Sequence, residues 1–128
     1  MVHVRLDECK NCQILPPLGQ LPLLKELYIT GIAALKSVGP EFYGEGSLPF
    51  PVLETLEFED MQHWKKWVPF VGDQGIGVFP CLKFLSIRNC PQLEGKVPKN
   101  LDSLETLDIF ELYFEICTSH QHGLWGVR

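Results

Sequence analysis

The stretch Leu24-Lys25-Glu26-Leu27-Tyr28-Ile29-Thr30-Gly31-Ile32 follows the template L-x-x-L-x-(I/F)-x-x-(apolar), and this template decides the fold. It recurs from Leu53, Leu82 and Leu104, and a partial copy, Val4-Leu6-Cys9, lies near the N-terminus. The equivalent positions are 23, 29, 29 and 22 residues apart along the series Val4, Leu27, Leu56, Leu85 and Leu107. Self-similarity at a period of about 20–30 residues with this spacing indicates a leucine-rich repeat solenoid.

The repeated windows are predicted to be short β-strands. Residues 27–30, 56–59, 85–88 and 107–110 alternate apolar and polar side chains and contain no proline or glycine. Proline cannot donate to a sheet ladder, so paired strands exclude it. The predicted fold class is an α/β-type repeat solenoid, mostly β and irregular, whose short parallel strands form one curved sheet with few or no long helices. A continuous inner column is expected from Leu27, Ile29, Leu56, Phe58, Leu85, Ile87, Leu107 and Ile109.

The segments between the windows divide the chain. Residues 36–52 and 65–81 match each other at an offset of 29, as Phe50 matches Phe79, and we expect both to be irregular surface loops. The template fails after Leu112. The predicted organisation is therefore leucine-rich repeats over 1–112, about four complete and one partial, followed by a divergent, poorly ordered tail over 113–128. Since neither end resembles a capping repeat, the chain is interpreted as a fragment of a longer solenoid.

Composition excludes several classes of function. The net charge of −5 argues against nucleic-acid binding. No apolar run reaches the about 18 residues that a membrane helix needs. The N-terminus lacks the apolar core of a signal peptide, and the five cysteines are an odd number, with Cys9 and Cys90 on buried template positions. Buried thiols without a pairing scheme indicate a reducing compartment, so a cytoplasmic location is predicted.

Candidate chemical motifs are weak. Cys9 and Cys12 form a C-x-x-C, but no second pair follows to complete a zinc site, and a core role is favoured over zinc or redox chemistry. Cys117, His120 and His122 do not have a recognised zinc spacing. The glycines of 72–77 do not have the G-x-G-x-x-G spacing of a phosphate loop. We therefore predict no metal, no cofactor and no catalytic residue.

Two features remain open to more than one interpretation. Glu57 and Glu59 would project from one strand face roughly 7 Å apart, a glycosidase-like spacing, but a solvated strand face is favoured. Trp64 occupies the slot of Leu35 and Leu93, so core packing is favoured over an interface role. Trp67 aligns with Val38, and the sequence favours neither role for it.

The outward positions of the strands are the predicted binding surface. Three columns of equivalent residues run across the repeats, and together with Glu26 they hold eight acids against two arginines, while all eight lysines lie elsewhere. We therefore expect the concave face to bind a protein with a basic surface. The predicted contact residues are Arg5, Asp7, Tyr28, Thr30, Glu57, Glu59, Ser86, Arg88, Asp108 and Phe110, and the third column consists of Glu8, Gly31, Asp60, Asn89 and Glu111.

Several ordered blocks resemble the coiled-coil class of plant intracellular nucleotide-binding leucine-rich-repeat disease resistance proteins. The blocks are Leu15-Pro16-Pro17-Leu18-Gly19-Gln20-Leu21-Pro22, Lys36-Ser37-Val38-Gly39-Pro40-Glu41-Phe42-Tyr43-Gly44, Phe58-Glu59-Asp60-Met61 with Trp64 and Trp67, and Leu85-Ser86-Ile87-Arg88-Asn89-Cys90-Pro91 with Leu93. The resemblance covers about residues 2 to 109.

The resemblance implies a non-catalytic module that recognises a pathogen cue or restrains an adjacent nucleotide-binding switch. The partner would be that switch domain or a pathogen effector. No G-x-x-x-x-G-K-S/T phosphate loop occurs, so ATP binding is not expected of this chain. An alternative is a leucine-rich-repeat scaffold or substrate-recognition subunit of another system, such as a ubiquitin ligase. A secreted inhibitor is disfavoured by the N-terminus and by the lack of N-x-S/T sites.

Overall fold

Five parallel strands form the main sheet of the computed structural model, which describes residues 2–9, 11–45, 48–68, 78–94 and 101–110. The strands are spatially ordered as they follow one another along the chain. They are β1 (His3–Asp7), β2 (Glu26–Thr30), β4 (Thr55–Glu59), β6 (Phe84–Arg88) and β7 (Thr106–Phe110). The segments that connect them are called returns here: the first return is 8–25, the second 31–54 and the third 60–83.

The register of the sheet follows the repeated template. Val4 pairs with Leu27, Leu27 with Leu56, Leu56 with Leu85 and Leu85 with Leu107. Each observed strand begins one residue before its predicted window, and the prediction of short parallel strands with little helix is confirmed. The described helices are α1 (Pro40–Tyr43) and the 3-10 turn η1 (Leu18–Gln20), and neither is long and apolar enough to cross a membrane.

The inner side chains of the main sheet form its core. Leu27, Ile29, Leu56, Phe58, Leu85 and Ile87 have no exposed surface, and Leu107 and Ile109 are nearly as buried. Val4 and Leu6 of β1 are only partly buried against this core. Because full burial of such a side chain contributes about 1.5–3 kcal/mol, the central strands hold most of the column's stabilising free energy.

The prediction of irregular surface loops over 36–52 and 65–81 is wrong where these segments form short regular elements and bury aromatic rings. The second return contains β3 (Ser37–Val38) and α1, the third contains β5 (Lys66–Trp67), and β3 pairs in parallel with β5 as a second, two-stranded sheet. Phe42, Phe50 and Phe79 are fully buried. Apolar side chains that the period-two pattern did not place thus form a second core layer, and they order these returns.

Aromatic rings fill this second layer. Phe42 and Phe50 have ring centroids 4.8 Å apart, Phe50 and Phe79 5.0 Å, and Phe58 and Trp64 4.5 Å. The indole Nε1 of Trp64 donates to the carbonyl oxygen of Lys66 at 2.8 Å. Core packing of Trp64 is therefore confirmed, and Trp67, which the sequence left undecided, is buried as well.

Gly19 joins the first return to the second. Its carbonyl accepts a 2.8 Å hydrogen bond from the amide of Phe50. A Cβ at Gly19 would lie 2.5 Å from the carbonyl oxygen of Tyr43 and 2.8 Å from the Cβ of Pro49. Only glycine permits so close a backbone approach.

The interpretation of Cys9 as a free, buried thiol is wrong. Cys9 and Cys12 are joined by a disulfide, and both are partly buried against the core rather than inside it. The sequence placed them three residues apart on apolar slots but did not show how close they lie in space. Their Cα atoms are 5.6 Å apart, a distance that permits the bond. Cys81 and Cys90 are free, so the argument for a reducing compartment now depends on these two residues alone among the described cysteines.

Several sequence predictions fall outside the described residues. They concern the glycines of 72–77, Glu111 of the third column, the residues Cys117, His120 and His122, and the tail over 113–128. They remain predictions.

Candidate protein-binding face

The outward face of the main sheet is built by strand alternation. Since every second residue of β1, β2, β4, β6 and β7 enters the core, the residues between them share the opposite face. The register aligns them in three rows. Row one is His3, Glu26, Thr55, Phe84, Thr106; row two is Arg5, Tyr28, Glu57, Ser86, Asp108; row three is Asp7, Thr30, Glu59, Arg88, Phe110.

All ten predicted contact residues lie in rows two and three of this face. Their exposure differs along the sheet. Arg5, Asp7, Glu59 and Arg88 are exposed, whereas Tyr28, Thr30 and Glu57 are half-buried. Ser86 and Asp108 are buried, with 2% and 5% of their surface exposed. Phe110 lies in β7, but its side chain is outside the description.

An ion pair joins the last two strands, β6 and β7, on the outward face. The Arg88 guanidinium donates through Nη2 to Asp108 Oδ2 at 2.5 Å, and this hydrogen bond and charge raise the pKa of Arg88. Asp108 Oδ1 is buried and has no hydrogen-bond partner among the described residues. Because an uncompensated buried carboxylate is costly, Arg88 neutralises Asp108. Half of the Arg88 side chain stays exposed.

Glu57 lies half-buried among charged neighbours on the outward face. Partial burial raises its pKa, Arg88 opposes this, and the negative charge of Glu59 adds to the rise. Both carboxylates point outward from β4, two residues apart on the same strand. Neither forms an ion pair among the described residues, so they form a local negative patch.

A second polar cluster lies on β1 and β2. The Arg5 guanidinium lies 4.8 Å from the ring centroid of Tyr28, a cation–π arrangement. His3 Nδ1 and the Tyr28 hydroxyl both contact Glu26 Oε1, at 3.1 and 3.3 Å. Desolvation, followed by the charges of Glu26 and Glu57, raises the pKa of Tyr28. The two arginines of the face are thus both engaged with neighbours on the face itself.

The third predicted column has a different role from the other two. Glu8, Gly31, Asp60 and Asn89 all have a positive φ, of 52°, 73°, 58° and 54°. Each ends a strand, and the amides of Glu8, Gly31 and Asp60 donate to the next strand. Asn89 Nδ2 also donates to Asp60 Oδ1. These residues therefore turn the chain out of the sheet, which explains why Gly, Asp and Asn recur there.

Row one was missed by the sequence interpretation except for Glu26. Thr55, Phe84 and Thr106 are half-buried on the same face. The signal was present, because the strand alternation extends one position further towards each N-terminus. Phe84 adds an apolar contact site to an otherwise polar surface.

Other candidate chemistry has no support in the described part of the chain. No group of three or more His, Cys, Asp and Glu side chains there could hold a metal ion. Burial raises the pKa of the Cys90 thiol to about 12, and its Sγ donates to the carbonyl of Arg88, so this free cysteine is held as an unreactive thiol at neutral pH.

Comparison with known proteins identifies the relatives of this chain. A segment of RPP13-like protein 1, a putative disease resistance protein of Arabidopsis thaliana, is 42% identical over 118 residues, which is 87% of this chain. The chain is related to plant disease resistance proteins. A second putative disease resistance protein of Arabidopsis is 43% identical over 80% of the chain, and the putative disease resistance protein RGA1 of Solanum bulbocastanum is 31% identical over 85%.

The chain spans only about a tenth of these disease resistance proteins, with 11%, 7% and 10% of their lengths covered. The identities of 42% and 43% to putative disease resistance proteins confirm the resemblance drawn from the ordered sequence blocks. No family model matches the sequence, and no solved structure matches it significantly.

Proposed function

We propose that this chain is a non-catalytic protein-recognition module of a plant immune receptor, built from stacked leucine-rich repeats. Two observations support this proposal. The template leucines Leu27, Leu56 and Leu85 pair strand to strand in one parallel sheet. The relatives are putative disease resistance proteins that extend far beyond the matched segment. The outward face of the sheet would be the concave recognition surface.

The charge of the outward face is the observation that carries the proposal. Its three rows hold five carboxylates, Asp7, Glu26, Glu57, Glu59 and Asp108, against two arginines and no lysine. Arg88 is engaged by Asp108, and Arg5 lies over Tyr28. Asp7, Glu26, Glu57 and Glu59 are therefore the groups that an approaching protein meets as net negative charge.

The partner is a protein with a basic surface, either a nucleotide-binding switch domain of the receptor or a pathogen effector. Complementary charge would mainly accelerate association and select among partners, while Tyr28 and Phe84 supply apolar contact. The same negative charge disfavours nucleic acid and anionic membranes. The module works without a cofactor in this proposal, and its location is cytoplasmic, where the Cys9–Cys12 disulfide would be reduced.

The test is a charge reversal with a matched control. Glu57→Lys/Glu59→Lys should slow association with a purified switch domain of this receptor class or with a cationic effector, by about tenfold at low salt, measured by biolayer interferometry. Glu94→Lys/Glu105→Lys makes the same change in net charge at exposed positions outside the three rows and should leave the rate within about twofold of wild type. The proposal is contradicted if the two double variants associate at equal rates. It is also contradicted if the wild-type chain binds neither a switch domain nor a cationic effector.

A further inference from the structure

A groove lies between the first and second returns, away from the outward face. It consists of two adjoining hollows of about 660 and 980 Å³ that share Ile14, Pro40 and Glu41 as lining residues. Gln13 and Ser37 border the first hollow, and Glu45 borders the second. We call this feature the return groove. Its hollows have the volume of typical binding pockets, about 300–1,000 Å³.

The return groove exists because the first return does not join the second sheet. At the repeat offset of 23, Ile14 corresponds to Ser37 and Leu15 to Val38. The second and third returns pair through β3 and β5, and the amide of Glu94 extends this ladder by donating to Lys65 at 2.9 Å. No backbone hydrogen bond joins residues 13–15 to β3 within the described ranges. One edge of β3 is therefore open.

The open edge presents a specific hydrogen-bonding pair. The carbonyls of Lys36 and Val38 accept bonds from Lys66 and Val68 on the β5 side. Because backbone groups alternate along a strand, the amide and carbonyl of Ser37 point to the opposite side, towards the groove. Neither group has a partner among the described residues, and Ser37 is exposed. The edge can thus pair with one more extended strand.

The walls of the groove define the side chains that such a strand should carry. Ile14 is 59% exposed, and the exposed Pro16, Pro17 and Pro40 continue the apolar wall. Glu41 and Glu45 are exposed, and the 980 Å³ hollow that both line contains no Lys, Arg or His among its described lining residues. Lys36 and His63 line the 660 Å³ hollow, so the basic side chain of a partner is expected in the larger hollow. Neither glutamate forms an ion pair among the described residues. A strand with an apolar residue next to a lysine or arginine would match both the apolar wall and the acidic wall.

We propose that the return groove binds an extended segment of a partner protein by adding it as a strand to the open edge of β3. The segment's backbone pairs with Ser37, an apolar side chain packs on Ile14 and Pro40, and a basic side chain lies against Glu41 and Glu45. Main-chain bonds supply affinity in this mode, and the alternate side chains supply specificity. This site is separate from the recognition face proposed above, because no residue of the three rows lines it.

The experiment selects ligands without assuming their identity. A displayed library of random short peptides is panned against the whole 128-residue chain, and enriched peptides are synthesised for fluorescence anisotropy. The enriched peptides should combine alternating apolar residues with lysine or arginine. Hydrogen exchange should slow at the Ser37 amide, which faces the groove, when such a peptide binds. A matched peptide, N-methylated at alternate backbone positions, should bind about tenfold more weakly or not at all.

Two variants locate the site, and two others serve as controls. Glu41→Lys/Glu45→Lys and, separately, Ile14→Asp should weaken the selected peptide by about tenfold or more, since each removes one wall of the groove. Glu94→Lys/Glu105→Lys is the charge control, and Glu57→Lys/Glu59→Lys tests the outward face; neither should change peptide affinity. These positions are exposed or half-exposed, so the fold is expected to tolerate them.

Several results would each overturn the proposal. They are no enrichment, enriched peptides without basic residues, full binding by both groove variants, or loss of peptide binding in Glu57→Lys/Glu59→Lys with the groove variants unchanged. Self-association that Ile14→Asp abolishes would show that a second copy of this chain occupies the groove, and it would also overturn the proposal. Failure of the outward-face test leaves these results unaffected, so the two proposals can be separated.

Discussion

The first and second returns follow the same strand template but fold differently. The second return carries six more residues between equivalent strand positions, 29 against 23, and places Phe42, Tyr43 and Phe50 in the core. The first return holds Leu15 and Leu18 there and leaves Ile14 exposed. The difference shows that the strands set the repeat, whereas the apolar residues of each return decide whether it joins its neighbour in a second sheet.

Removing the largest aromatic side chain should give the greatest effect and would test whether the second layer is a true core. Trp64→Ala deletes a fully buried ring that contacts Phe58 and donates to Lys66. We expect a loss of about 3–5 kcal/mol in the free energy of unfolding, measured by urea denaturation. Ile14→Ala in the first return is the control, and its free energy of unfolding should stay within about 0.5 kcal/mol of the wild-type value. A small loss for Trp64→Ala would mean that the third return is peripheral.

The next effect compares the centre and the edge of the main sheet. Leu56→Ala in β4 should cost about 2–5 kcal/mol because its side chain has no exposed surface. Leu6→Ala in β1 should cost clearly less, since Leu6 is only partly buried. Equal losses in parallel urea titrations would contradict the gradient of burial along the inner column.

Gly19 tests the contact between the two returns directly. Gly19→Ala forces a Cβ against Tyr43 and Pro49, and we expect a loss of about 1–3 kcal/mol. Gly31→Asn is the comparison, because its φ of 73° resembles that of Asp60 and Asn89 at the equivalent strand ends. Its Cβ would lie 3.2 Å from Cγ of the exposed Glu8, which can shift, so a smaller loss than for Gly19→Ala is expected. Thermal unfolding of both variants gives the comparison. Similar stability for Gly19→Ala and wild type would show that the returns adjust freely.

The smallest effect concerns one hydroxyl of the second return. Tyr43 donates to the carbonyl of Val68 at 2.6 Å, so Tyr43→Phe should cost about 1 kcal/mol at neutral pH. Burial raises the pKa of Tyr43 from 10.0 to about 12. The folded state therefore holds this proton more tightly than the unfolded state, and the stability it contributes is complete below pH 10 and lost as pH rises towards 12.

Measurements of stability against pH check this sign. Wild type should lose stability between about pH 10 and 12 more steeply than Tyr43→Phe. Cys90 contributes in the same direction from pH 9, because its thiol pKa is also raised to about 12 by burial, so both curves should still fall. Identical slopes for the two proteins would show that the hydroxyl titrates alike in both states.

The strands and the inner column could be predicted from the sequence because their pattern is local. Leu27 and Ile29 alternate with Tyr28 and Thr30 inside one short window, and the template repeats that window in each strand. The membership of Glu57 and Glu59 in the outward face follows from the same alternation. The turns at the third column could not be predicted, because alternation does not reveal the positive φ values that turn the chain at Asp60 and Asn89.

The sequence by itself thus determined the parallel sheet, its register and the negative charge of its outward face. Only the tertiary structure decided that Arg88 neutralises Asp108, that Cys9 joins Cys12, that the aromatic returns form a second core layer and that the first return leaves an edge of β3 open. The physical reason is distance along the chain. The alternation of apolar and polar side chains can be recognised within one five-residue strand. Ion pairing across strands and packing between returns depend on groups brought together from separate repeats.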